Sequence, residues 1–110
     1  MIPSQMLKGV LEGCILEIIR KRETYAYEIS KQLEKYGFGM ISEGTIYPII
    51  LRLQKNELIK ATLQDSNSGP KRKYYNLTEK GISMLNQFKD NWQELDYAVN
   101  QLLMGSEDNE

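Results

Sequence analysis

Apolar residues near the start of the chain come in adjacent pairs four residues apart: Met6/Leu7, Val10/Leu11, Cys14/Ile15 and Ile18/Ile19. Doubled positions at that step make a broad stripe along one side of a helix. A first helix is therefore predicted from Ser4, whose hydroxyl suits an N-cap, to Arg20-Lys21-Arg22, cations that favour the negative end of the helix dipole. Cys14 lies in the stripe and reads as a small buried apolar residue. A second helix is predicted from about Ala26 to Tyr36, with Ile29, Leu33 and Tyr36 on one face and Gly37 as its C-cap. After the turn Gly37–Ile41, Ser42 caps a third helix running to about Asn56, with Ile46, Ile49, Ile50 and Leu53 inward. Pro48 would break a helix interior, so it is read as a marker of the helix start, near Gly44 or Thr45.

The period then changes. Ile59, Ala61 and Leu63 alternate with polar residues over 58–64, the spacing of a half-buried strand. Residues 65–70, Asp-Ser-Asn-Ser-Gly-Pro, are turn formers. Lys71-Arg72-Lys73 follows, and Tyr74-Tyr75-Asn76-Leu77 is a second strand, which makes a hairpin with a basic, flexible tip. Thr78 opens the last helix. Leu85, Phe88, Trp92, Leu95, Val99 and Leu102 follow at spacings of 3, 4, 3, 4 and 3, an unbroken heptad seam. Residues 105–110 are polar and acidic and read as a frayed tail.

Three helices, a hairpin and a further helix, in that order, are the element sequence of a winged helix-turn-helix. The expected fold class is mostly α with a minor β hairpin: a winged helix-turn-helix DNA-binding domain at 1–78, a long C-terminal dimerisation helix at 79–104 and the acidic tail at 105–110. No other long helix of the chain is free to cover the heptad stripe, so a second copy is the economical partner. Leu85, Phe88, Trp92, Leu95, Val99 and Leu102 are the expected dimer interface, with Trp92 as its anchor.

Composition narrows the function. The 110 residues contain no histidine and one cysteine, so the commonest general base and nearly every zinc ligand set are missing. No phosphate-loop, dinucleotide or nucleophile-elbow motif is present, and the scattered acids form no pair suited to a carboxylate-only enzyme. No enzyme activity, cofactor or metal is expected. No run approaches the roughly 18–20 apolar residues of a membrane span, and Met1-Ile2-Pro3-Ser4 lacks the basic and apolar regions of a secretory signal, so no membrane partner and a cytoplasmic location are expected. The net charge of −1 conceals an asymmetry: residues 1–81 carry 13 Lys/Arg against 9 Asp/Glu, whereas residues 82–110 carry one Lys against six acids. One part of the chain is suited to an anion and the other to a different task.

The anion is read as DNA. N-terminal residues of a recognition helix meet base edges in the major groove. Once its core positions are removed, the third helix leaves Ser42, Glu43, Gly44, Thr45, Tyr47, Pro48 and Arg52. Thr45 and Tyr47 can bond phosphate or base, Arg52 can pair with phosphate or guanine, and Gly44 permits close approach of a backbone. Glu43 is unfavourable near phosphate but suits its own helix dipole. Three adjacent cations, Lys71, Arg72 and Lys73, repel one another, a cost that phosphate contact explains. A two-fold dimer would place two such helices about 34 Å apart on half-sites of a palindrome.

These segments resemble the PadR family of bacterial transcriptional regulators. The resemblance is carried by Tyr25-Ala26-Tyr27-Glu28-Ile29, by Gly44-Thr45-Ile46-Tyr47-Pro48-Ile49-Ile50-Leu51-Arg52-Leu53, and by Gly69-Pro70-Lys71-Arg72-Lys73-Tyr74-Tyr75-Asn76-Leu77-Thr78-Glu79-Lys80-Gly81. It spans about Met6 to Leu103. It implies a cytoplasmic homodimeric repressor on a palindromic double-stranded operator, with Tyr47, Arg52 and the wing cations on DNA and Tyr27 placed with them. The single last helix is similar to the short subclass of the family, which includes the lactococcal multidrug-binding repressor. By that resemblance, Trp92 would flank a central pore taking a flat aromatic or cationic small-molecule effector. The competing reading is a winged-helix protein–protein interaction module without direct operator binding, whose binding would ignore salt.

Overall fold

The computed structural model describes residues 1–67 and 69–105. Its elements are α1 (Ser4–Leu7), α2 (Leu11–Lys21), α3 (Ala26–Lys35), α4 (Glu43–Lys55), β1 (Ile59–Ser66), β2 (Gly69–Leu77) and α5 (Glu79–Met104). This is the expected winged-helix order with a long last helix. The start differs: the first predicted helix is two. Gly9 has φ +88°, the left-handed region that glycine adopts without cost, and Lys8 is extended, so the chain turns between α1 and α2. Ser4 is the first helical residue and Pro3 the cap position, which has no side-chain bond.

The core collects one face of each helix: Leu11, Ile15, Leu16 and Ile19 of α2, Ile29 and Leu33 of α3, Ile46, Ile49, Ile50 and Leu53 of α4, and Leu85 of α5. Ile59 and Tyr75 of the hairpin close it. Tyr36, expected on the inner face of the second helix, is exposed at the end of α3, its ring under the Lys21 ammonium at 5.0 Å.

Helices α3 and α4 end in the same way. The amide of Phe38 donates to the Leu33 carbonyl and that of Gly37 to Glu34, with Gly37 at φ +100°. After α4 the Leu58 amide donates to Leu53 and the Glu57 amide to Gln54, but the residue at φ +62° is Glu57. These are two Schellman caps, one with the usual glycine and one without it. The second is braced from α5. Thr78 Oγ1 accepts from the Gly81 amide at 3.0 Å and donates to the Glu57 carbonyl at 2.7 Å, while Lys80 Nζ donates to the Asn56 carbonyl at 3.0 Å. Gly81 is fixed by the same approach, because a Cβ there would collide with the Leu58 carbonyl.

β1 and β2 are antiparallel, with Ile59 opposite Leu77, Ala61 opposite Tyr75 and Leu63 opposite Lys73, and a bulge between Gln64 and Ser66. Thr24 adds a bridge to Tyr75, whose amide donates to the Thr24 carbonyl at 2.8 Å. The strands run further than their alternation predicted. Lys71, Arg72 and Lys73 therefore lie within β2, not at a flexible tip, since the ladder continues past the last buried residue. Of the expected turn, Ser68 lies outside the described residues, as do 106–110 of the expected tail.

α5 corrects the expected dimer seam. Leu85 is 1% exposed within the single chain, and Phe88 packs on the core over Gly13, where a Cβ would occupy the Phe88 ring. Both belong to the intrachain core, because the α2 stripe extends far enough to cover the first turns of α5. From Lys89 to Met104 every residue of α5 is exposed, including Trp92 (47%), Leu95 (52%), Val99 (44%) and Leu102 (84%).

Candidate nucleic-acid interface

Position around α4 decides what its outer residues can reach. At about 100° per residue, Gly44, Pro48 and Leu51 form a ridge directly opposite the buried Ile46, Ile49, Ile50 and Leu53. Glu43 and Tyr47 lie on one flank, Thr45 and Arg52 on the other. Ser42 is the N-cap, its Oγ accepting from the Thr45 amide at 3.2 Å. Regular helix begins at Glu43, so Pro48 stands in the second turn and does not mark the start. With no amide hydrogen, it leaves the Gly44 carbonyl without its usual partner one turn later.

The Tyr47 flank faces the wing. Tyr25, Ala26 and Tyr27 at the start of α3, Glu43 and Tyr47 of α4, and Arg72, Lys73 and Tyr75 of β2 line a shallow cleft of about 320 Å³. Arg72 is held there by stacking: its guanidinium carbon is 4.3 Å from the Tyr25 ring centre, and Tyr25 meets Tyr74 edge-on at 5.2 Å. Strand alternation puts Lys71 and Lys73 on the face of β2 that carries the buried Tyr75, and puts Arg72 and Tyr74 on the opposite face. Arg72 and Lys73 nevertheless both border the cleft, and Lys71 and Lys73 are exposed. Tyr75 closes the floor, and burial, then the neighbouring Tyr47, raise its phenol above the ordinary value. At the outer edge of the wing Asn76 Nδ2 donates to Glu23 at 2.8 Å. Bonds from Gln64 and Asn76 lower the Glu23 carboxyl below its ordinary value, so it stays an ionised carboxylate held by two neutral amides. Tyr27 is half-exposed at the cleft mouth, with Lys31 Nζ 5.5 Å from its ring.

Arg52 is separated from this group. Its Nε donates to Glu12 Oε2 of α2 at 2.9 Å, with both side chains partly exposed. With Thr45 and Ile49 it borders a second, apolar cavity of about 730 Å³ against the N-terminal segment, Phe38 and Met40. The predicted DNA residues thus fall into two groups on either side of the Gly44–Pro48 ridge: Tyr27, Tyr47, Arg72 and Lys73 around the cleft, Thr45 and Arg52 beyond it. Residue reasoning missed Tyr25 as the support of Arg72 and Glu12 as the partner of Arg52. The first is signalled by an aromatic beside Tyr27. The second lies 40 residues from its partner and has no local signal.

The base of the α5 arm is tied to α2 by charge. Glu17 takes a two-pronged bond from Arg20 at 2.9 Å and an ion pair from Lys89 at 3.2 Å. The Arg20 hydrogen bonds, followed by Lys89, hold its carboxyl down to about 2 despite partial burial. Beside them Cys14 is half-buried, and burial pushes its thiol above the ordinary range, which favours the inert protonated form. Among the described residues no helix is long and apolar enough to cross a membrane, and no cluster of acids or cysteine is suited to hold a metal ion.

Comparison with known proteins gives one consistent result. The transcriptional regulator PadR-like family matches residues 15–87. A PadR-like transcriptional regulator from Bacillus cereus, whose crystal structure is solved, is 56% identical, with a TM-score of 0.84 over 93% of this chain and 99% of that one. A Streptococcus transcriptional regulator of solved structure is 40% identical, with a TM-score of 0.81 over 91% and 98%. The Escherichia coli transcriptional regulator YqjI is 28% identical over 89% of this chain, which spans 46% of that protein.

Proposed function

Because this chain belongs to the PadR-like family of transcriptional regulators, and is a DNA-binding regulator and not an enzyme, we propose that it acts as a homodimeric repressor. It reads a palindromic operator with α4 and the wing. The observation that carries this reading is the convergence of Tyr27, Tyr47, Arg72 and Lys73 around one cleft beside the exposed ridge of α4. Side chains there can bond phosphates on both sides of a major groove while the ridge faces the bases. Arg52 reaches DNA from the opposite flank by exchanging Glu12 for phosphate or guanine, as Thr45 does with its hydroxyl. Ser42, Gly44 and Pro48 lie on or beside the ridge, and Lys71 extends the phosphate contact along the wing.

The dimer forms through the outer part of α5. Trp92, Leu95, Val99 and Leu102 form an uncovered apolar stripe on a projecting arm, and such a stripe at heptad spacing is stabilised by a second copy. Trp92 is the sole tryptophan. In a two-fold pair its two copies can sandwich a flat aromatic or cationic molecule that releases the operator. Intrinsic fluorescence therefore reports the ligand directly: a planar cationic dye should quench Trp92, and an unquenched dimer at saturating dye would exclude that site.

The deciding experiment is binding of the purified protein to a duplex from the region upstream of its own coding sequence, beside a scrambled duplex, across a series of salt concentrations. Tight, sequence-preferring binding that weakens steeply with salt supports an operator reader. Binding indifferent to sequence, or none, with a clean dimer in solution, favours the winged-helix protein–protein interaction module.

A further inference from the structure

Two helix-weakening residues stand four apart on the outer ridge of α4, and nothing inside the molecule requires either. Gly44 has ordinary helical backbone, and a Cβ added there would meet only the Ser42 hydroxyl, at 3.6 Å. Alanine would fit and favour the helix. Gly81 and Gly13 contrast with it, since each has a core neighbour that excludes a side chain. Pro48 is also exposed and fills no core position. Its effect is on the backbone. It withholds the donor for the Gly44 carbonyl, and its ring crowds that oxygen outward. The ridge therefore presents the Gly44 carbonyl without its helical donor, with the Pro48 ring beside it one turn on and the half-exposed Leu51 beyond. It carries no charge.

We propose that this ridge reads one base pair of each operator half-site through the protein backbone: the Gly44 carbonyl accepts a hydrogen bond from the exocyclic amino group of an adenine, while Pro48 lies against the methyl group of the paired thymine. The inference rests on the reading of α4 as the helix in the major groove. The chemistry selects the pair. In the major groove only adenine N6 and cytosine N4 donate, whereas guanine presents acceptors that repel a carbonyl. Of the two donor pairs, only A·T also carries a methyl group for an apolar ridge. Gly44 is needed because a base edge must come within hydrogen-bond distance of main chain, about 2.9 Å. Pro48 is needed because any other residue would return its amide to that carbonyl. The side chains on the two flanks, Tyr47 with the wing and Arg52, fix register on the phosphates and leave this contact to discriminate.

The test starts from a site selected out of a randomised duplex pool by the wild-type protein, after which each A·T pair of the selected site is changed in turn to G·C. One position in each half-site should lose affinity about tenfold, the scale of one net hydrogen bond with a methyl contact. Pro48→Ala restores the amide donor and strengthens the helix, so it remains folded. It should bind A·T and G·C alike at that position and keep the wild-type preference everywhere else, with an unchanged salt slope. Gly44→Ala should raise the melting temperature and weaken binding to the selected site about tenfold. A Pro48→Ala protein that discriminates every position as the wild type does, or a Gly44→Ala protein that binds equally well, overturns the proposal while leaving α4 as the reading helix. A wild-type protein that selects no sequence overturns the operator reading itself, and this inference with it.

Discussion

Glu57 shows how one residue can oppose the geometry its neighbours impose. It occupies the left-handed position of a Schellman cap at φ +62°, where the matching cap after α3 has Gly37. Backbone bonds from Glu57 and Leu58 and the brace from Thr78 hold it there. Glu57→Gly removes the steric cost of a Cβ in that conformation and should stabilise the protein by about 1 kcal/mol, read as a raised denaturation midpoint with an unchanged slope; a lowered midpoint would show that the glutamate side chain contributes more than the strain. The Ser42 and Thr78 caps could be read from sequence because a cap bonds its own helix within three residues. Glu57 could not, because nothing local marks a strained cap that is fixed by α5 from another part of the chain.

The wing and α5 are the elements whose function depends on where their strand or helix ends. Because β2 begins at Gly69, Lys71 and Lys73 are spaced by the pleat on one face of a paired strand. Each should act as a separate phosphate contact: Lys71→Ala or Lys73→Ala should weaken binding to all duplexes alike and lower the salt slope by about one. A slope unaltered in both variants would take the wing off the phosphates. At the base of α5, the Glu17 carboxylate links Arg20 and Lys89 with a carboxyl held at about 2, below its ordinary 4.5. A carboxyl lowered by folding contributes stability that is present in full above pH 4.5 and is lost as pH falls through about 2. The Arg20 and Lys89 partners are about half exposed to solvent, which screens the pairs and keeps the contribution below about 1 kcal/mol. Glu17→Gln should therefore lower the melting temperature slightly at pH 7, with most of that difference gone at pH 2. An equal deficit at both would assign the effect to packing.

At the scale of the molecule the departure from compactness is the informative feature. The radius of gyration is 16.6 Å, against about 13 Å for a compact domain of this length, and the extents are 63 × 30 × 20 Å. The excess is in α5, whose 26 residues reach past the core and carry the apolar stripe. Trp92→Glu places a charge at the start of that stripe and should convert the proposed dimer to monomers by sedimentation while leaving the winged-helix core folded. A variant that stays dimeric would move the seam elsewhere. The same monomers should lose affinity for a palindromic duplex far more than for a single half-site, because the second helix then no longer binds at a fixed distance.

The winged-helix order, the inner faces of α2 and α4, and the Ser42 and Thr78 caps were determined by the sequence, because each depends on periodicity or on bonds within a few residues. The resemblance in the α4 and wing segments was also legible, and the family match over residues 15–87 agrees with it. Tertiary structure decided the rest. It divided the heptad stripe between the core of one chain, at Leu85 and Phe88, and an open arm from Trp92 onward, a distinction invisible to periodicity because both halves are equally apolar. It set Arg52 against Glu12 and Arg72 on Tyr25, contacts between distant parts of the chain. It separated glycines that packing demands, at Gly13 and Gly81, from Gly44, which packing does not. That difference lies in what occupies the space where a Cβ would be, and no spacing of residues along a chain encodes it.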